Sequence, residues 1–239
     1  MTAGQMRELR RSVLDANLSL PRHGLVTLTW GNASAIDRKA GLVAIKPSGV
    51  DYAQLTLEDI VVVDLDGAVI YGRKRPSTDT PTHLRLYQAW PQVGAVVHTH
   101  STWATVWAQA QRAIPVYGTT HADLCRDPIP LTRQLTATEV NAGYELATGL
   151  VLIESVGERS PLEVPCALAR GHGPFCWGVS PNDAVEKAVT LEQVARMAFF
   201  TQQLDPSASS LAEHIIAKHF LRKHGEDAYY GQAAADDQS

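Results

Sequence analysis

The most constraining feature of the sequence is a short apolar segment that ends in two histidines, Val96-Val97-His98-Thr99-His100. The β-branched pair after Gly94 predicts a buried strand. Alternate residues of a strand share a face, so the two imidazoles project together, about 6–7 Å apart at Cα. Such a pair suits a divalent cation such as zinc or manganese. A pair of hydrogen-bonded histidines at a strand end is the alternative, and the pattern alone leaves both open.

Composition limits the classes of protein to which the chain can belong. The 239 residues, 45% of them hydrophobic, are enough for one sizeable domain. A net charge of -4 gives no reason to expect nucleic acid or a membrane as partner. No apolar run approaches about 18 residues, and the polar, basic N-terminus predicts no export. Three cysteines without a close CxxC pair predict reduced thiols in the cytoplasm.

Periodicity and turn residues in the N-terminal half predict a helix, two strands and a hairpin. Pro21 is expected to end the first helix, and Thr56 to cap a short helical turn. Asp66-Gly67 is typical of a hairpin turn. The predicted strands span residues 25–30, 42–46, 60–65 and 68–71.

Two loops in this half are suited to an anion. Lys46-Pro47-Ser48-Gly49 can place backbone N–H groups, a hydroxyl and an ammonium around one. The second loop, residues 75–81, precedes a helix that Thr80 is predicted to cap, with Pro81 at its first position. Ser77 and Thr78 then lie where a helix N-terminus attracts phosphate. Ordinary turns, with Asp79 as an exposed charge, remain the alternative.

The C-terminal half is predicted to alternate between helices and strands. Trp103, Val106 and Trp107 are expected to face the core from the helix after His100. The stretch 118–123 is polar and unlike a core segment, and Ser180-Pro181 is expected to cap the longest helix. The predicted helices span 101–111, 136–149 and 210–223, and the predicted strands 150–155 and 164–169, with a further strand around residue 116.

A third histidine completes the pattern. His172 lies between two glycines at a strand end, where a core role is poorly explained. Three imidazoles leave positions open for substrate, as in catalytic metal sites. Together with the two loops, they indicate metal-assisted chemistry on a phosphorylated hydroxy-carbonyl compound.

The ordered set of motifs resembles the class II aldolase/adducin family and, within it, the branch that epimerises L-ribulose 5-phosphate to D-xylulose 5-phosphate. The motifs are Leu-Val-Thr-Leu-Thr-Trp-Gly-Asn (25–32), Ile-Lys-Pro-Ser-Gly-Val-Asp-Tyr (45–52), Ser-Thr-Asp-Thr-Pro-Thr-His (77–83), Val-His-Thr-His-Ser (97–101), Gly-Thr-Thr-His-Ala-Asp (118–123), His-Gly-Pro-Phe (172–175), Lys-His-Phe-Leu-Arg-Lys-His-Gly (218–225) and Ala-Tyr-Tyr-Gly-Gln (228–232). The stretch 157–170 carries no motif of the family. We expect one domain over residues 1–232 and a disordered extension over 233–239.

The resemblance implies a role for particular residues. His98, His100 and His172 would ligate zinc, with Mn²⁺ or Co²⁺ as substitutes, and Asp79 would lie near or on the metal. Asp123 and Tyr230 fall on the acid/base positions, which the family supplies from a neighbouring subunit. The phosphate-binding positions correspond to Asn32, Lys46, Ser48, Gly49, Ser77 and Thr78, and the accessory positions to Thr119, Glu145 and His219.

The resemblance also implies fold, assembly and mechanism. The fold is a single-domain α/β class, a three-layer α/β/α arrangement around a largely antiparallel sheet, and the assembly is a cyclic homotetramer. The reaction is a retro-aldol cleavage of C3–C4 followed by re-addition to the other face of the aldehyde, with the metal stabilising the enediolate. A proton moves at the C4 hydroxyl on either face, which calls for two opposed groups.

Three rival interpretations remain. An aldolase of the L-fuculose 1-phosphate type shares the histidines, but that group carries Glu where Asp79 stands, and the shorter side chain favours an epimerase. A non-catalytic, adducin-like scaffold is expected to lack the metal histidines. A cupin also uses His-X-His, but the predicted helices fit an all-β barrel badly. The sequence leaves open which pentose or ascorbate pathway the enzyme serves, with arabinose catabolism among them.

Overall fold

Seven short strands form one sheet in the computed structural model, which describes residues 1–225 and 227–231. The strands are β1 (Asn32–Asp37), β2 (Leu42–Ile45), β3 (Val61–Asp64), β4 (Val69–Tyr71), β5 (Ala95–His98), β6 (Cys166–Ala169) and β7 (Gly173–Gly178). Their order is β4-β3-β2-β1-β5-β7-β6, and neighbouring strands pair antiparallel. The largely antiparallel sheet that the family resemblance implied is confirmed.

Helices cover both faces of this sheet. They are α1 (Ala3–Arg22), α2 (Thr80–Ala89), α3 (Thr102–Gln109), α4 (Thr119–Leu124), α5 (Ala137–Val156), α6 (Pro181–Leu204) and α7 (Glu213–His224). Helices α1 and α6 contact each other and the central strands, while α2 packs along α5, and α4 packs on α6 and α7. In the described part of the chain, no helix has the length and apolarity needed to cross a membrane.

The alternation of side chains along β1 shows how the layers form. The hydroxyl of Ser34 lies 2.7 Å from both His83 Nδ1 and Tyr87 Oη of α2. The backbone of Ala33 exchanges hydrogen bonds with the side chain of Asn17 in α1. Because successive side chains of a strand point to opposite faces, the side chains of Ala33 and Ala35 face away from α2. Helices α1 and α6, which contact β1 and each other, form the layer on that side. The three-layer α/β/α prediction is therefore confirmed.

The strand predicted at residues 25–30 is wrong, and the true strand begins later, at Asn32. Leu28 has a φ of 54° and Gly31 a φ of 77°, both outside the extended region. Leu28 and Trp30 are 70% and 50% exposed, so the alternation of apolar residues does not mark a buried face. A Cβ at Gly31 would lie 2.8 Å from the carbonyl oxygen of His98, which explains why glycine leads into β1.

The helix predicted to end at Gly149 continues to Val156, so the strand predicted at 150–155 is also wrong. Gly149 is buried where α5 crosses α2, and a Cβ there would lie 2.8 Å from Cβ of Arg85. The glycine therefore permits close helix packing instead of ending the helix.

Other predictions differ in position or element. Pro21 lies within the last turn of α1, Asp79 rather than Thr80 is the cap of α2, and α3 covers 102–109 of the predicted 101–111. Residues around Val116 form no named strand, the segment 118–123 contributes most of α4, and β7 was not predicted. The hairpin, the capped turn at Thr56 and the helix capped by Ser180 are confirmed.

The three cysteines, Cys125, Cys166 and Cys176, are free and buried. The C-terminal extension predicted at 233–239, and Gln232 before it, lie outside the described residues.

Candidate active site

The register of three neighbouring strands creates the centre of the site. Asn32 in β1 pairs with His98 in β5, and His98 pairs with Phe175 in β7. The ring of Phe175 stacks on the imidazole of His98, with centroids 4.0 Å apart and planes 15° from parallel. This row lies at one end of the sheet, directly before His100 and beside His172, which precedes β7.

Three imidazoles converge at this end of the sheet. His100 Nε2 lies 3.2 Å from His98 Nε2 and 3.1 Å from His172 Nε2. The opposite nitrogens are engaged elsewhere, since His98 Nδ1 lies 3.0 Å from the carbonyl oxygen of Pro174 and His172 Nδ1 lies 3.2 Å from Tyr144 Oη. A neutral His98 therefore donates Nδ1–H to the carbonyl and offers the Nε2 lone pair to the cavity.

The histidine cluster fits a divalent metal. Tetrahedral zinc with bonds of about 2.0–2.1 Å requires ligand nitrogens about 3.3 Å apart, close to the separations seen here. Burial lowers the pKa of His98 to about 3 and also lowers the pKa values of His100 and His172, so the rings are neutral at pH 7. Neutral imidazole nitrogen is the form that binds metal, and among the described residues His98, His100 and His172 are placed so that they could hold a metal ion together.

Asp79 lies beside this cluster without belonging to it. Its Oδ2 accepts a 2.7 Å hydrogen bond from Asn32 Nδ2, which also contacts Ser77 Oγ at 3.0 Å. Burial raises the pKa of Asp79, but the electrostatic interactions with the His98 and His83 imidazoles and the hydrogen bond from Asn32 outweigh burial, so the pKa lies below its ordinary value. The residue thus supplies negative charge close to the cluster.

The two loops predicted to bind phosphate are joined in the structure. Ser48 N donates to the carbonyl of Arg75, and Ser77 N donates to the carbonyl of Lys46, each over 3.0 Å. A bridge between Pro47 and Pro76 completes the contact. The two loops, far apart in sequence, therefore form one polar wall of the cavity.

Lys46 is the cation of this wall. The residue is 1% exposed, and its Nζ lies 3.3 Å from the carbonyl oxygen of Thr29 and 4.7 Å from the ring centroid of Tyr52. Burial lowers the pKa of Lys46 to about 8. No carboxylate forms a salt bridge with this ammonium among the described residues, which leaves it available to an anionic ligand.

Loops and histidines line a single cavity of about 400 Å³. All the residues predicted to bind metal and phosphate contribute to its wall, together with Glu145 of the accessory set. The lining consists of Thr29, Trp30, Gly31, Asn32, Lys46, Pro47, Ser48, Gly49, Ser77, Thr78, Asp79, His98, His100, Tyr144, Glu145 and His172. A cavity lined both by a cation and by a histidine cluster that could hold a metal suits a phosphorylated, oxygen-rich small molecule.

Sequence reasoning missed two aromatic residues of this cavity. Trp30 lies against His100, with ring centroids 6.1 Å apart, although the sequence pattern predicts a strand there. Tyr144 reaches His172 because α5 is kinked at Gly143, whose φ of 152° and ψ of 94° are not helical. The one feature of the sequence that could have indicated this contact is Gly143, directly before Tyr144, because a glycine inside a helix can mark a kink.

The predicted acid/base residues form a second cluster outside this cavity. Asp123 Oδ1 lies 3.2 Å from His219 Nδ1, and Arg222 binds both oxygens of the same carboxylate. Tyr230 places its ring over Arg222, 4.9 Å from the guanidinium carbon. Thr119 borders a neighbouring cavity of about 250 Å³. Arg222 was not singled out from the sequence.

The segment before Gln232 is held by its own helix. The backbone N–H groups of Tyr229 and Tyr230 donate to the carbonyl of Arg222, over 3.0 and 3.1 Å. From the sequence, Gly225 is expected to end the last helix, which would leave the segment beyond it unsupported by that helix. The hydrogen bonds to Arg222 of α7 show that this expectation is wrong. Tyr230 is 58% exposed.

Comparisons with known proteins bear on this site. The chain matches the profile of the Class II Aldolase and Adducin N-terminal domain over residues 11–199. Two proteins named L-ribulose-5-phosphate 4-epimerase UlaF, from Salmonella paratyphi B and Salmonella typhi, are each 56% identical over 227 residues, 95% of this chain and 100% of theirs.

Solved structures share the fold at lower identity. An L-fuculose 1-phosphate aldolase has a TM-score of 0.77 and 24% identity, covering 89% of this chain and 94% of its own. An aldolase II superfamily protein from Pseudomonas syringae has a TM-score of 0.76 and 18% identity, covering 95% and 86% of the two chains. At these identities the likeness concerns the fold.

Proposed function

The chain belongs to the class II aldolase and adducin family, and we propose that it is an isomerase that converts L-ribulose 5-phosphate to D-xylulose 5-phosphate at C4. The observation that carries the proposal is the 56% identity to epimerases whose whole length the chain covers. The cavity supports it independently, because it combines a cation for phosphate with a cluster suited to a divalent metal.

Binding of the phosphate group falls to the joined loops. The buried Lys46 supplies a charge, and Ser48, Ser77 and Thr78 supply hydroxyl groups around the same space. A charge-assisted hydrogen bond from the ammonium to a phosphate oxygen is stronger than a neutral one. The sugar is then oriented with its phosphate at the loops and its ketose oxygens towards the histidines.

Cleavage of C3–C4 leaves negative charge on the ketose oxygens. His98, His100 and His172 would hold a divalent cation, which we propose is Zn²⁺ with Mn²⁺ or Co²⁺ as substitutes, and a cation bound there would polarise these oxygens. Asp79 is held beside the cluster by Asn32, where its carboxylate would add an oxygen as the fourth ligand or orient the substrate. Rotation of the released aldehyde before re-addition inverts C4.

Each half of this reaction moves a proton at the C4 oxygen. Asp123 and Tyr230 are the groups that we assign to this step, one for each face of the aldehyde. Neither residue lines the histidine cavity of its own chain. This separation supports a homotetramer in which a neighbouring subunit brings Asp123, Tyr230, Thr119 and His219 to the cavity, with Glu145 on the cavity side.

The cellular setting is proposed on chemical grounds. Three free, buried thiols fit a reducing compartment such as the cytoplasm. A pentulose phosphate of this kind is an intermediate of catabolic routes such as that of arabinose.

The direct test is incubation of the purified protein with L-ribulose 5-phosphate and separation of the products. We expect D-xylulose 5-phosphate without accumulation of free glycolaldehyde phosphate. Asp123→Asn and Tyr230→Phe serve as matched variants, since each removes a proton-transfer group while keeping its shape. Release of free glycolaldehyde phosphate as the main product would indicate an aldolase instead.

A further inference from the structure

The hydroxyl group of Tyr144 is placed to control a metal ligand. We propose that Tyr144 is a positioning residue that fixes the tautomer and the ring orientation of His172 by accepting a hydrogen bond from its Nδ1–H. The inference rests on the proposed metal site, and its consequence is a higher affinity of that site for the metal. Nothing in the reaction itself requires this residue to touch the substrate.

The argument begins with the two nitrogens of His172. Its Nδ1 lies 3.2 Å from Tyr144 Oη, and its Nε2 lies 3.1 Å from Nε2 of His100. A neutral imidazole carries one N–H, so an Nε2 that binds metal leaves the hydrogen on Nδ1. The phenol oxygen is then the acceptor, and the bond holds the ring in the orientation in which Nε2 faces the cluster.

His98 is held in the same way by a different group. Its Nδ1 lies 3.0 Å from the carbonyl oxygen of Pro174, and Phe175 stacks on its ring. This histidine is buried in the sheet and held by both contacts. His172 belongs to the turn between β6 and β7, and its ring meets Phe175 edge-on at 6.1 Å instead of stacking on it, so a side-chain acceptor is more consequential there.

The backbone of α5 is arranged for this contact. Gly143 adopts a φ of 152°, which residues other than glycine rarely adopt, and the helix is kinked immediately before Tyr144. Beyond the kink, Thr148 Oγ1 donates to the carbonyl of Tyr144 over 2.8 Å, and Thr82 Oγ1 donates to the carbonyl of Glu145 over 2.6 Å. These two hydroxyls anchor the turn that carries the tyrosine.

The test is the metal affinity of Tyr144→Phe, which deletes only the hydroxyl. We expect the affinity for Zn²⁺, measured by competition with a chromogenic chelator, to fall about tenfold, the lower end of what such outer partners contribute. The visible absorption spectrum of the Co²⁺-substituted protein should change as well. Tyr71→Phe is the matched control, because it deletes the same group from the outermost strand, and its affinity should stay within twofold of the wild type.

Two results would overturn the inference. One is a Tyr144→Phe protein with wild-type Zn²⁺ affinity and an unchanged Co²⁺ spectrum. The other is a raised KM for the sugar phosphate at unchanged metal affinity, which would make Tyr144 a substrate contact. Metal affinity is measured without substrate, so failure of the epimerase proposal would leave this test intact.

Discussion

The guanidinium of Arg222 binds both carboxylate oxygens of Asp123, with Nε 3.0 Å from Oδ1 and Nη2 2.6 Å from Oδ2. Burial raises the pKa of Asp123, but the hydrogen bonds and charges of Arg222 and His219 outweigh it and hold the pKa below its ordinary value. The ring of Tyr230 lies over the same guanidinium. Arg222 therefore connects the two groups to which we assign proton transfer.

Replacing this arginine should change the pH dependence of turnover. In Arg222→Gln, the pKa of Asp123 rises because a stabilising positive charge is lost, so the acidic limb of the kcat/KM profile moves to higher pH. We also expect kcat/KM at neutral pH to fall by about tenfold or more, because Asp123 and Tyr230 lose their common support.

Arg126→Gln is the control for this change. Arg126 also pairs with a carboxylate, but its partner is the exposed Glu213, which lies on α7 together with Arg222. Its pH profile should match that of the wild type. An unshifted acidic limb in the Arg222→Gln protein would show that Asp123 is not the group whose ionisation limits turnover.

Lys46→Ala should raise KM for the phosphorylated sugar more than it lowers kcat. The ammonium binds the phosphate in both the ground and transition states, so its loss removes uniform binding. A charged hydrogen bond of about 2–3 kcal/mol corresponds to a KM increase of about 30- to 150-fold. Steady-state kinetics decide the point, with the exposed Lys39→Ala as control.

The pKa of Lys46, lowered to about 8, gives a second measurement in the wild type. Above that pH the free enzyme loses the ammonium, so KM should rise on the alkaline side. A large fall in kcat with KM unchanged in Lys46→Ala would instead assign the lysine to the chemical step.

The sequence predicted the metal cluster and both loops because their signals are local. His98 and His100 lie two residues apart on one strand, and the glycines around His172 mark a turn. Tyr144 was missed because its contact with His172 depends on a kink at Gly143 and on the packing of α5 against α2. Contacts between segments that are distant in sequence produce no periodic pattern of apolar residues from which they could be predicted.

The same limit explains the wrong elements. Gly149 has the appearance of a helix stop, since glycine commonly follows a helix end. Only the approach of α2 shows that this glycine makes room for another helix. The exposure of Leu28 and Trp30 is likewise set by the loop around them, although their alternation imitates a strand.

Gly149→Ala should therefore destabilise the fold. The new methyl would lie 2.8 Å from Cβ of Arg85 and 3.2 Å from the carbonyl oxygen of Thr82, neither of which rotates away. We expect overpacking to exceed the helix-propensity gain of alanine and to lower the free energy of unfolding by about 1–2 kcal/mol. Urea denaturation measures this.

Gly4→Ala is the control for the propensity term. Gly4 lies in α1, and its nearest contact to an added Cβ is Thr2 Oγ1 at 3.8 Å. This change should be neutral or slightly stabilising. An equal gain in stability from both substitutions would contradict the close packing of α2 on α5.

One divalent metal should bind per chain. Elemental analysis of protein purified without chelator should find it, and His98→Ala should lose it, while the exposed His23→Ala should keep it. Because binding to the folded state stabilises it, metal at about 100 times its Kd adds about 2.7 kcal/mol to the free energy of unfolding. Full turnover by metal-free protein would exclude the proposed chemistry.

The final prediction concerns sites shared between subunits. Asp123 and Tyr230 lie outside the cavity that holds the histidines. If these two residues transfer the protons, as we propose, a complete site takes one surface from each of two chains. His98→Ala and Tyr230→Phe should each be defective alone. In a mixed ring, however, some sites combine an intact histidine with the intact tyrosine of the next chain, and random equal mixing restores about one site in four.

The two variants should be unfolded together, refolded with metal and assayed beside each parent refolded alone. Native mass spectrometry of the mixture establishes that mixed oligomers have formed, which makes a low activity interpretable. Recovery well above the mean of the parents requires that Tyr230 acts on a neighbour, because no single chain in the mixture carries both intact residues. Activity at or below that mean in confirmed mixed oligomers would place Tyr230 in the site of its own chain or outside the chemistry.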